Sequence, residues 1–424
     1  MGPREYTDLL LAFAQDDSKG QRFSLRLHPG EDDFFNAASG GDPSQVFPVE
    51  LSAADLCRQV GGETDWSARV IGAKDGLQIG SSLWGALPPS AKERIAGAQP
   101  DSATPLRIKI YGSTGDITDL PWEWLTQGAG VPFALRENVR LTRCIPVQFP
   151  APPLTVKLPL RVLLILTSPK DEKLLNAAQE VGAVSKGLQG PDYDLSILEE
   201  PTLDALREEI MENPPHVLHY IGHAGIDNGQ GNIILHDARD MTYWLSSSLL
   251  SRMLPTTVRL ICLSSCFTAP NYRLLGLSRL AHAPASMRLP TMIANQCHVT
   301  GEGVESFWSS FYPLLIEHDG NVNEAFHSAR LSCHEQTGGS DWASFGLVIR
   351  DRTGKPLRLA SPGRGASPKR KEDEYNAQFA AHFLNTIAEQ VTILGASASK
   401  EILDLLETEK DRAQGFLNDI AEDE

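Results

Sequence analysis

A histidine and a cysteine each stand just after a short apolar run in this sequence. Residues 216–221 lead through Gly222 to His223, and residues 258–263 lead through two serines to Cys266. Short runs of branched apolar residues that end in small polar residues predict buried strands of a parallel sheet. Sites form where the carboxyl ends of such strands meet, and a nearby histidine activates a cysteine as a nucleophile. The sequence therefore predicts a His223–Cys266 dyad.

The segment between the two runs supplies the connection that this arrangement needs. Residues 226–257 contain a loop, a short strand at 232–235 and a helix-like segment at 245–254. A crossover of this kind is long enough to lay two parallel strands side by side. We therefore expect His223 and Cys266 to meet above one edge of the sheet.

These residues also have alternative interpretations. One alternative interpretation is that Cys266 is a buried structural thiol, because free cysteines are often buried. His216, His219 and His223 have a spacing that would suggest metal ligands on a helix. On a strand, however, His216 and His219 point to opposite faces. No metal site is therefore expected, and His219 is expected to be a packed, hydrogen-bonded strand residue.

The other cysteines are not accompanied by a histidine motif of this kind. Cys262 lies in the middle of the second predicted strand and is expected to be a core residue. The remaining four are expected to be core or surface thiols: Cys57, Cys144, Cys297 and Cys333. Six cysteines without paired spacing are typical of a reduced, cytoplasmic protein rather than of a disulfide framework.

Several motifs together resemble the CHAT domain of the caspase–separase class of cysteine peptidases. The two that carry the dyad read Tyr-Ile-Gly-His-Ala-Gly at 220–225 and Leu-Ser-Ser-Cys-Phe-Thr at 263–268. The others follow in the order of the family, at 120–125 (Leu-Pro-Trp-Glu-Trp-Leu), 139–143, 307–312, 324–330 and 342–345. The resemblance covers residues from about 100 to 350 and extends back to about residue 20.

The resemblance implies an acyl-enzyme mechanism without a cofactor. Cys266 attacks a peptide carbonyl, and His223 moves the protons. The oxyanion is held by the main-chain N–H groups of Cys266 and of Ala224, where the family usually has glycine. If that position required a positive φ, Ala224 would be strained. Asp227 and Ser265 are candidates for contact with the substrate.

Four acidic residues would suit a basic side chain of the substrate. They are Asp227, Asp237, Asp240 and Asp341. The alternative is that these residues form solvated turns, as loop aspartates commonly do. Glu123 likewise is either a site carboxylate or a helix-start residue beside two packed tryptophans, Trp122 and Trp124.

The resemblance also implies a partner and a setting. A peptidase of this kind cleaves a specific protein partner, which we expect to be encoded nearby, and acts as a regulated effector in a bacterial defence or cell-death pathway. Two alternatives stay open. One is an inactive scaffold that binds proteins without cutting them, and the other is a different thiol chemistry on the same dyad.

Composition narrows the class of protein. The chain has 424 residues and a net charge of -16, and such acidity argues against nucleic acid or an anionic membrane as a partner. No apolar run reaches the length of a membrane span, and the amino terminus has no secretory pattern.

The chain divides into four predicted parts. Residues 1–150 form an amino-terminal, non-catalytic half rich in strands, and residues 151–359 form a caspase-like catalytic domain. A linker at 360–371 precedes an acidic helical hairpin at 372–424, which carries a net charge of -10. This hairpin has an apolar stripe and is expected to bind an activator or sensor protein; docking on the body of the protein is the open alternative.

Alternating strands and helices in the second half predict a three-layer α/β fold with helices on both faces of the sheet. Strands are predicted at 160–166, 194–198, 292–295 and 345–349, with 194–198 at an edge of the sheet and 345–349 as its closing strand. Helices are predicted at 177–188, 203–211, 305–317 and 323–334, the last of them capped by Asn323.

Overall fold

The computed structural model describes residues 6–15, 22–29, 46–51, 56, 71–98, 104–112, 115–145, 151–171, 177–227, 230–265, 291–350 and 353–360. Cys266 lies outside these residues, as do the predicted acidic hairpin and the predicted linker after residue 360.

The described residues form sixteen β-strands. In chain order they are β1 Thr7–Gln15, β2 Arg22–His28, β3 Val46–Glu50, β4 Leu106–Gly112, β5 Val139–Cys144, β6 Leu154–Lys157, β7 Leu160–Leu166, β8 Tyr193–Glu199, β9 Val217–Gly222, β10 Ala224–Asp227, β11 Gln230–His236, β12 Thr242–Ser246, β13 Leu260–Ser265, β14 Thr291–Asn295, β15 Phe345–Ile349 and β16 Leu357–Ala360.

Eight α-helices and three 3-10 helices connect these strands within the described ranges. The α-helices are α1 Ala73–Ala86, α2 Pro89–Ala96, α3 Gly115–Thr118, α4 Ala178–Gly187, α5 Leu203–Glu212, α6 Ser247–Met253, α7 Gly301–Glu317 and α8 Val322–Thr337. The 3-10 helices are Trp122–Trp124, Phe133–Leu135 and Asp341–Ser344.

Eleven strands form one mixed sheet in the order β3-β2-β1-β4-β5-β15-β14-β13-β9-β7-β8. The five strands from β14 to β8 are parallel to one another, and so are β1, β4, β5 and β15. These two groups run antiparallel to each other across the β14–β15 pair. Two small sheets, β10-β11-β12 and β16-β6, complete the strand pairing of the described residues.

The central strands form as the apolar runs predict. Every residue of β9 is buried, and β7 and β13 are buried along most of their length, because helices cover both faces of the sheet. Helices α4 and α7 lie on one face, and the right-handed rule for parallel crossovers puts α5 on the other. The mixed α/β fold, with a large central sheet flanked by helices, is therefore confirmed.

The two halves of the chain share this sheet. Strand β5 of the amino-terminal half pairs in parallel with β15, at Arg143↔Val348 and Cys144↔Ile349. The described residues within 1–148 and 154–359 belong to one compact unit. The strand predicted to close the sheet, β15, thus lies in its interior, between β5 and β14, whereas β8 lies at an edge, as predicted.

Some predicted elements differ in detail from those observed. The segment predicted as helical at 245–254 is divided between the end of β12 and helix α6. Helix α7 begins at Gly301, earlier than predicted, because the hydroxyl of Thr300 caps it at the N–H of Gly303. Helix α8 is capped by Asn321 rather than Asn323.

The described residues contain no helix that combines the length and apolar character needed to cross a membrane. Four cysteines are described, and all four are buried free thiols: Cys144, Cys262, Cys297 and Cys333.

Candidate active site

The strands that lead to the two candidate residues lie side by side. Strands β9 and β13 pair in parallel, with Leu263 opposite Tyr220 and Ser265 opposite Gly222. His223 is the next residue after Gly222, and Cys266 is the next residue after Ser265. His223 is therefore at the carboxyl edge of the sheet where β13 also ends, while Cys266 itself is outside the described residues.

His223 is held through its main chain. Its carbonyl oxygen accepts hydrogen bonds from the hydroxyl of Tyr220 at 2.5 Å and from the N–H of Ile234 at 3.0 Å. The hydroxyl of Thr167 lies 3.1 Å from that of Tyr220 and donates to the carbonyl of Ile234 at 2.9 Å. All of these groups are buried, so the bonds form a fixed support on one side of His223.

Gly222 leaves room for that support. A Cβ atom on Gly222 would lie 2.3 Å from the Tyr220 hydroxyl and 2.4 Å from the Thr167 hydroxyl. Neither distance is tolerable, because real Cβ contacts begin near 3 Å. The glycine before His223 is thus required by packing, whatever its backbone angles.

Ala224 opens strand β10 and pairs with Ile233 of β11. Among the described residues, the positive φ angles outside glycine belong to Glu200, Asp240 and Asp319. Ala224 therefore adopts its conformation without the strain that a positive φ would bring. The hypothesis that its main-chain N–H donates to the oxyanion is compatible with this conformation.

The opposite face of β9 and β13 carries a buried polar cluster. His219 and Cys262 are register partners, and helix α7 places Tyr312 over both. The Tyr312 hydroxyl lies 2.6 Å from His219 Nδ1 and 3.9 Å from Cys262 Sγ. Trp308, one turn earlier, packs edge-on against His219 with ring centroids 4.5 Å apart. His219 is a packed, hydrogen-bonded strand residue, as expected.

Burial keeps this cluster uncharged. It lowers the pKa of His219 to about 3, and it raises the pKa values of Cys262 and Tyr312 above their usual range. A neutral imidazole and two protonated acids suit a structural role. In this cluster Cys262 is a core thiol, which agrees with the expectation from the sequence.

Ser264 continues the same face toward the carboxyl end of β13. Its hydroxyl accepts a hydrogen bond from the indole N–H of Trp308 at 3.1 Å. Both Ser264 and Trp308 also bond to the carboxyl group of Glu180, in the first turn of α4. Burial raises the pKa of Glu180 to about 7, although the hydrogen bonds from Ser264 and Trp308 act in the opposite direction.

The acids considered for a basic substrate side chain have different positions. Asp227 ends β10, opposite Gln230. Asp237 accepts the N–H groups of Arg239 and Met241 within a turn. Asp240 bonds to Lys170 at 2.7 Å on the exposed surface. Turn formation and surface pairing thus account for Asp237 and Asp240.

Asp341 is buried and caps the start of α7. It accepts the N–H of Thr300 at 2.8 Å and the Thr300 hydroxyl at 2.9 Å. Both carboxylate oxygens are used by one residue, so Asp341 organises the α7 terminus.

Glu123 is fully buried in the 3-10 helix Trp122–Trp124. Its carboxylate binds Arg143 at 2.6 and 3.1 Å, and Arg330 lies 3.6 Å away. Burial opposes the ionisation of Glu123, but the neighbouring Arg143 guanidinium outweighs it and holds the pKa of this carboxyl below its usual value. Arg143 also donates to Gln296, directly after β14, at 2.5 Å. Glu123 is therefore a buried ion-pair residue that links both halves of the unit.

Within the described ranges, no group of three or more histidine, cysteine or acidic side chains has the geometry to hold a metal ion.

Two residues of this region, Thr167 and Glu180, have no counterpart among the sequence predictions, and Tyr220 appears there only as part of the motif at 220–225. Thr167 directly follows the predicted strand at 160–166, and Glu180 lies in the first turn of the predicted helix at 177–188. Both therefore follow a buried parallel strand at its carboxyl edge, which is a signal for such sites. Tyr220 had no signal of its own, since aromatic residues in buried strands commonly serve packing.

The model of the CHAT domain matches residues 78–351. No curated protein sequence matches this chain.

Solved structures give remote matches. Two structures of the Saccharomyces cerevisiae separase–securin complex match with 16% and 17% identity and TM-scores of 0.38 and 0.37, over 62% and 61% of this chain and 16% of the other chain. The complex of the Porphyromonas gingivalis RgpB pro- and mature domains matches with 12% identity and a TM-score of 0.41, over 72% of this chain and 76% of the other. This chain thus corresponds to about a sixth of the separase-complex chains it matches.

Proposed function

This chain belongs to the CHAT domain family, and we propose that it is a cysteine peptidase with Cys266 as nucleophile and His223 as general base. One observation carries the proposal. Strands β9 and β13 end in register, Gly222 opposite Ser265, so that each is followed immediately by one member of the dyad. Adjacent parallel strand ends are where the chain can bring two such residues within reach of one substrate.

The reaction that this pair supports is an acyl transfer. The Cys266 thiolate attacks the carbonyl carbon of a peptide bond, and a C–S bond forms while the carbonyl becomes an oxyanion. The C–N bond then breaks, and protonated His223 gives its proton to the leaving amine. Water, deprotonated by His223, attacks the acyl carbon; the C–S bond breaks, and the acid product and the thiolate are released.

Two main-chain N–H groups are the proposed donors to the oxyanion, those of Ala224 and Cys266. The support for Ala224 is its position, directly after His223 and at the start of β10. A donor of this kind, aimed at the oxyanion in a site that excludes water, typically contributes about two to three orders of magnitude in rate.

The substrate proposed is a specific protein, and the setting proposed is a regulated cleavage in a reducing cytoplasm. The four described cysteines are free thiols, which fits such a compartment. Asp227 and Ser265 remain the proposed contacts to the substrate, because they lie on β10 and at the end of β13, the elements that begin or end beside His223.

The proposal is tested with wild-type protein and the variants Cys266→Ala and His223→Ala, with Cys297→Ala as a matched control in the core. Each protein is incubated with a library of peptides prepared from a denatured proteome. The new amino termini that cleavage creates are identified by mass spectrometry. We expect cleavage by wild type and by Cys297→Ala, and a loss of at least a thousandfold in the two dyad variants.

Two results would count against this function. Cleavage by Cys266→Ala within a few-fold of wild type would remove Cys266 from the mechanism. Absence of both cleavage and iodoacetamide labelling of Cys266 in folded wild type would instead indicate an inactive scaffold.

A further inference from the structure

Strand β10 begins at the residue after His223 and lies at one edge of the small sheet. The order of this sheet is β10-β11-β12, so β11 pairs with one side of β10. Among the described residues, no strand pairs with the other side of β10. An edge of this kind presents main-chain N–H and C=O groups that an added strand can pair with.

The register of β10 and β11 decides which of these groups point outward. The N–H of Ile234 donates to the carbonyl oxygen of His223 at 3.0 Å, so these two residues form a hydrogen-bonded pair. The next pair along the same register is Ala224 opposite Ile233. Hydrogen-bonded and non-hydrogen-bonded pairs alternate along an antiparallel ladder, so Ala224 and Ile233 form a non-hydrogen-bonded pair.

The main-chain groups of Ala224 and Ile226 therefore point away from β11. Ile226 lies two positions after Ala224, opposite Gly231, and forms the next non-hydrogen-bonded pair. The outer edge of β10 thus offers the N–H and C=O groups of Ala224, followed by those of Ile226. Ala224 is also partly exposed, whereas His223 before it is buried.

This edge starts beside the groups proposed to act on the scissile bond. The N–H of Ala224 is the proposed oxyanion donor, and its outward direction suits that role, because an N–H bonded to β11 would be unavailable to a substrate. His223 is the proposed proton donor to the leaving amine, which must come within its reach. The substrate chain beyond the scissile bond begins at that amine, and β10 begins directly after His223.

We propose that the part of the substrate beyond the scissile bond binds as an added strand, parallel to β10. The inference rests on the proposed function, since it concerns a peptide that is cleaved. The carbonyl of the scissile bond accepts the N–H of Ala224. The second residue after the bond then donates its N–H to the carbonyl of Ala224, and its own carbonyl accepts the N–H of Ile226, as in a parallel ladder.

The proposal defines a class of substrate. Main-chain pairing requires an extended segment of the protein partner that is not already part of a helix or sheet. It also excludes proline at the second residue after the scissile bond, because proline has no N–H to donate. Proline is compatible with the third residue, whose N–H points away from β10 in the added strand.

The cleavage sites that wild type makes in the proteome-derived peptide library provide the first test. After normalisation to the composition of the library, proline should be about tenfold rarer at the second residue after the scissile bond than at the third. Equal frequencies of proline at the two positions would overturn the proposal.

The second test removes the N–H of Ile226. Ile226→Pro deletes a donor that faces away from β11, and an edge strand tolerates proline at such a position. The peptide that the library shows to be cleaved fastest is compared with a shortened form that ends at the first residue after the scissile bond, both amidated. The ratio of kcat/KM for the long peptide to that for the short one should fall about tenfold in the variant. A ratio equal to that of wild type would overturn the proposal.

Trp244→Pro is the matched control, on the other edge strand of the same sheet. Trp244 lies opposite Ile234, whose N–H bonds toward β10, so the N–H of Trp244 also points out of the sheet. This variant should keep the wild-type ratio. An equal fall of the ratio in both proline variants would overturn the proposal, because it would trace the effect to the small sheet as a whole.

N-methylated peptides test the same ladder in wild-type protein, and they decide the matter if circular dichroism shows that Ile226→Pro does not fold. Methylation of the second residue after the scissile bond should lower kcat/KM about tenfold more than methylation of the third. Equal effects at the two positions would contradict a strand parallel to β10.

The outcomes separate this proposal from the proposed function. If peptides are cleaved in a manner that depends on His223 but shows none of these preferences, β10 has no part in substrate binding and the peptidase remains. If wild type cleaves no peptide of the library, both proposals are wrong.

Discussion

The hydroxyl of Tyr220 donates a hydrogen bond to the main-chain carbonyl of His223, at 2.5 Å, across only three residues. The bond links His223, the first residue after β9, to Tyr220 within β9. The N–H of Ile234 reaches the same carbonyl from β11 at 3.0 Å, so His223 is held between the central sheet and the small sheet β10-β11-β12. The printed bonds thus hold the main chain of His223.

Replacing Tyr220 by phenylalanine should therefore impair both catalysis and stability. The Tyr220→Phe variant loses a buried hydroxyl that is within hydrogen-bond distance of Thr167, His223 and Ile234, and each such bond is worth about 1 kcal/mol of unfolding free energy. With His223 less firmly placed, we expect kcat/KM to fall by about tenfold or more, since small misplacements of catalytic groups are costly. Peptide cleavage and urea denaturation measure the two effects, and Tyr243→Phe on β12 is the control. A fall in stability with unchanged kcat/KM would show that Tyr220 serves packing alone.

Glu123→Gln should destabilise the protein strongly. The change leaves Arg143 and Arg330 buried without their counter-charge, and breaking a buried ion pair costs about 3–5 kcal/mol. Urea unfolding at pH 7 gives the value, with the exposed Glu137→Gln as a control that should change it by less than about 0.5 kcal/mol. Equal, small effects of both substitutions would mean that the buried pair contributes no net stability.

Glu180 should make stability fall as pH rises. Its pKa in the folded protein, about 7, lies above the ordinary value of 4.5. Between these two values the folded protein binds more protons at this site than the unfolded chain, so unfolding free energy declines with rising pH, by roughly 3 kcal/mol across the window. In Glu180→Gln that decline should be absent. Denaturation at pH 5 and pH 8 of this variant, wild type and Glu305→Gln provides the comparison; parallel declines in all three would contradict the prediction.

The acidic segment at 372–424 is proposed to recruit a protein partner. Its net charge of -10 and its apolar residues at 375, 379, 383, 387 and 391 suit a helix that binds another surface. A chain that ends at Lys371 should keep its melting temperature and its activity on short peptides, but lose cleavage of its protein target. If melting temperature and peptide cleavage fell together, the segment would belong to the fold of the body instead.

Local patterns predicted most of the elements near the site. The runs at 160–166 and 216–221 form β7 and β9. A continuous apolar run is typical of a parallel strand that is buried on both faces. The cap of α8 was predicted at Asn323, yet Asn321 and Glu324 have the spacing of a capping box, and the Glu324 N–H does bond to Asn321 at 3.2 Å. The local sequence therefore contains the information that places the cap at Asn321.

Other features depend on contacts between distant parts of the chain. The antiparallel β14–β15 pair and the β15–β5 pair join residues that no local period connects. Glu180 has no unusual sequence context, and its importance comes from Ser264 and Trp308, which reach it from two other elements. Burial that depends on such tertiary contacts cannot be predicted from the hydrophobic periodicity of the sequence.

The interior position of β15 has a consequence for synthesis. On the ribosome, β5 is complete about 200 residues before its neighbour β15 emerges. Until then the inner edge of the amino-terminal sheet has no partner, and exposed edges of this kind invite aggregation. Tyr6 finds its acceptor Glu324 at 2.7 Å only after 318 further residues have been made. Folding is therefore expected to be late and slow, as for chains dominated by distant contacts, and two fragments divided near residue 150 should assemble with each other rather than fold separately.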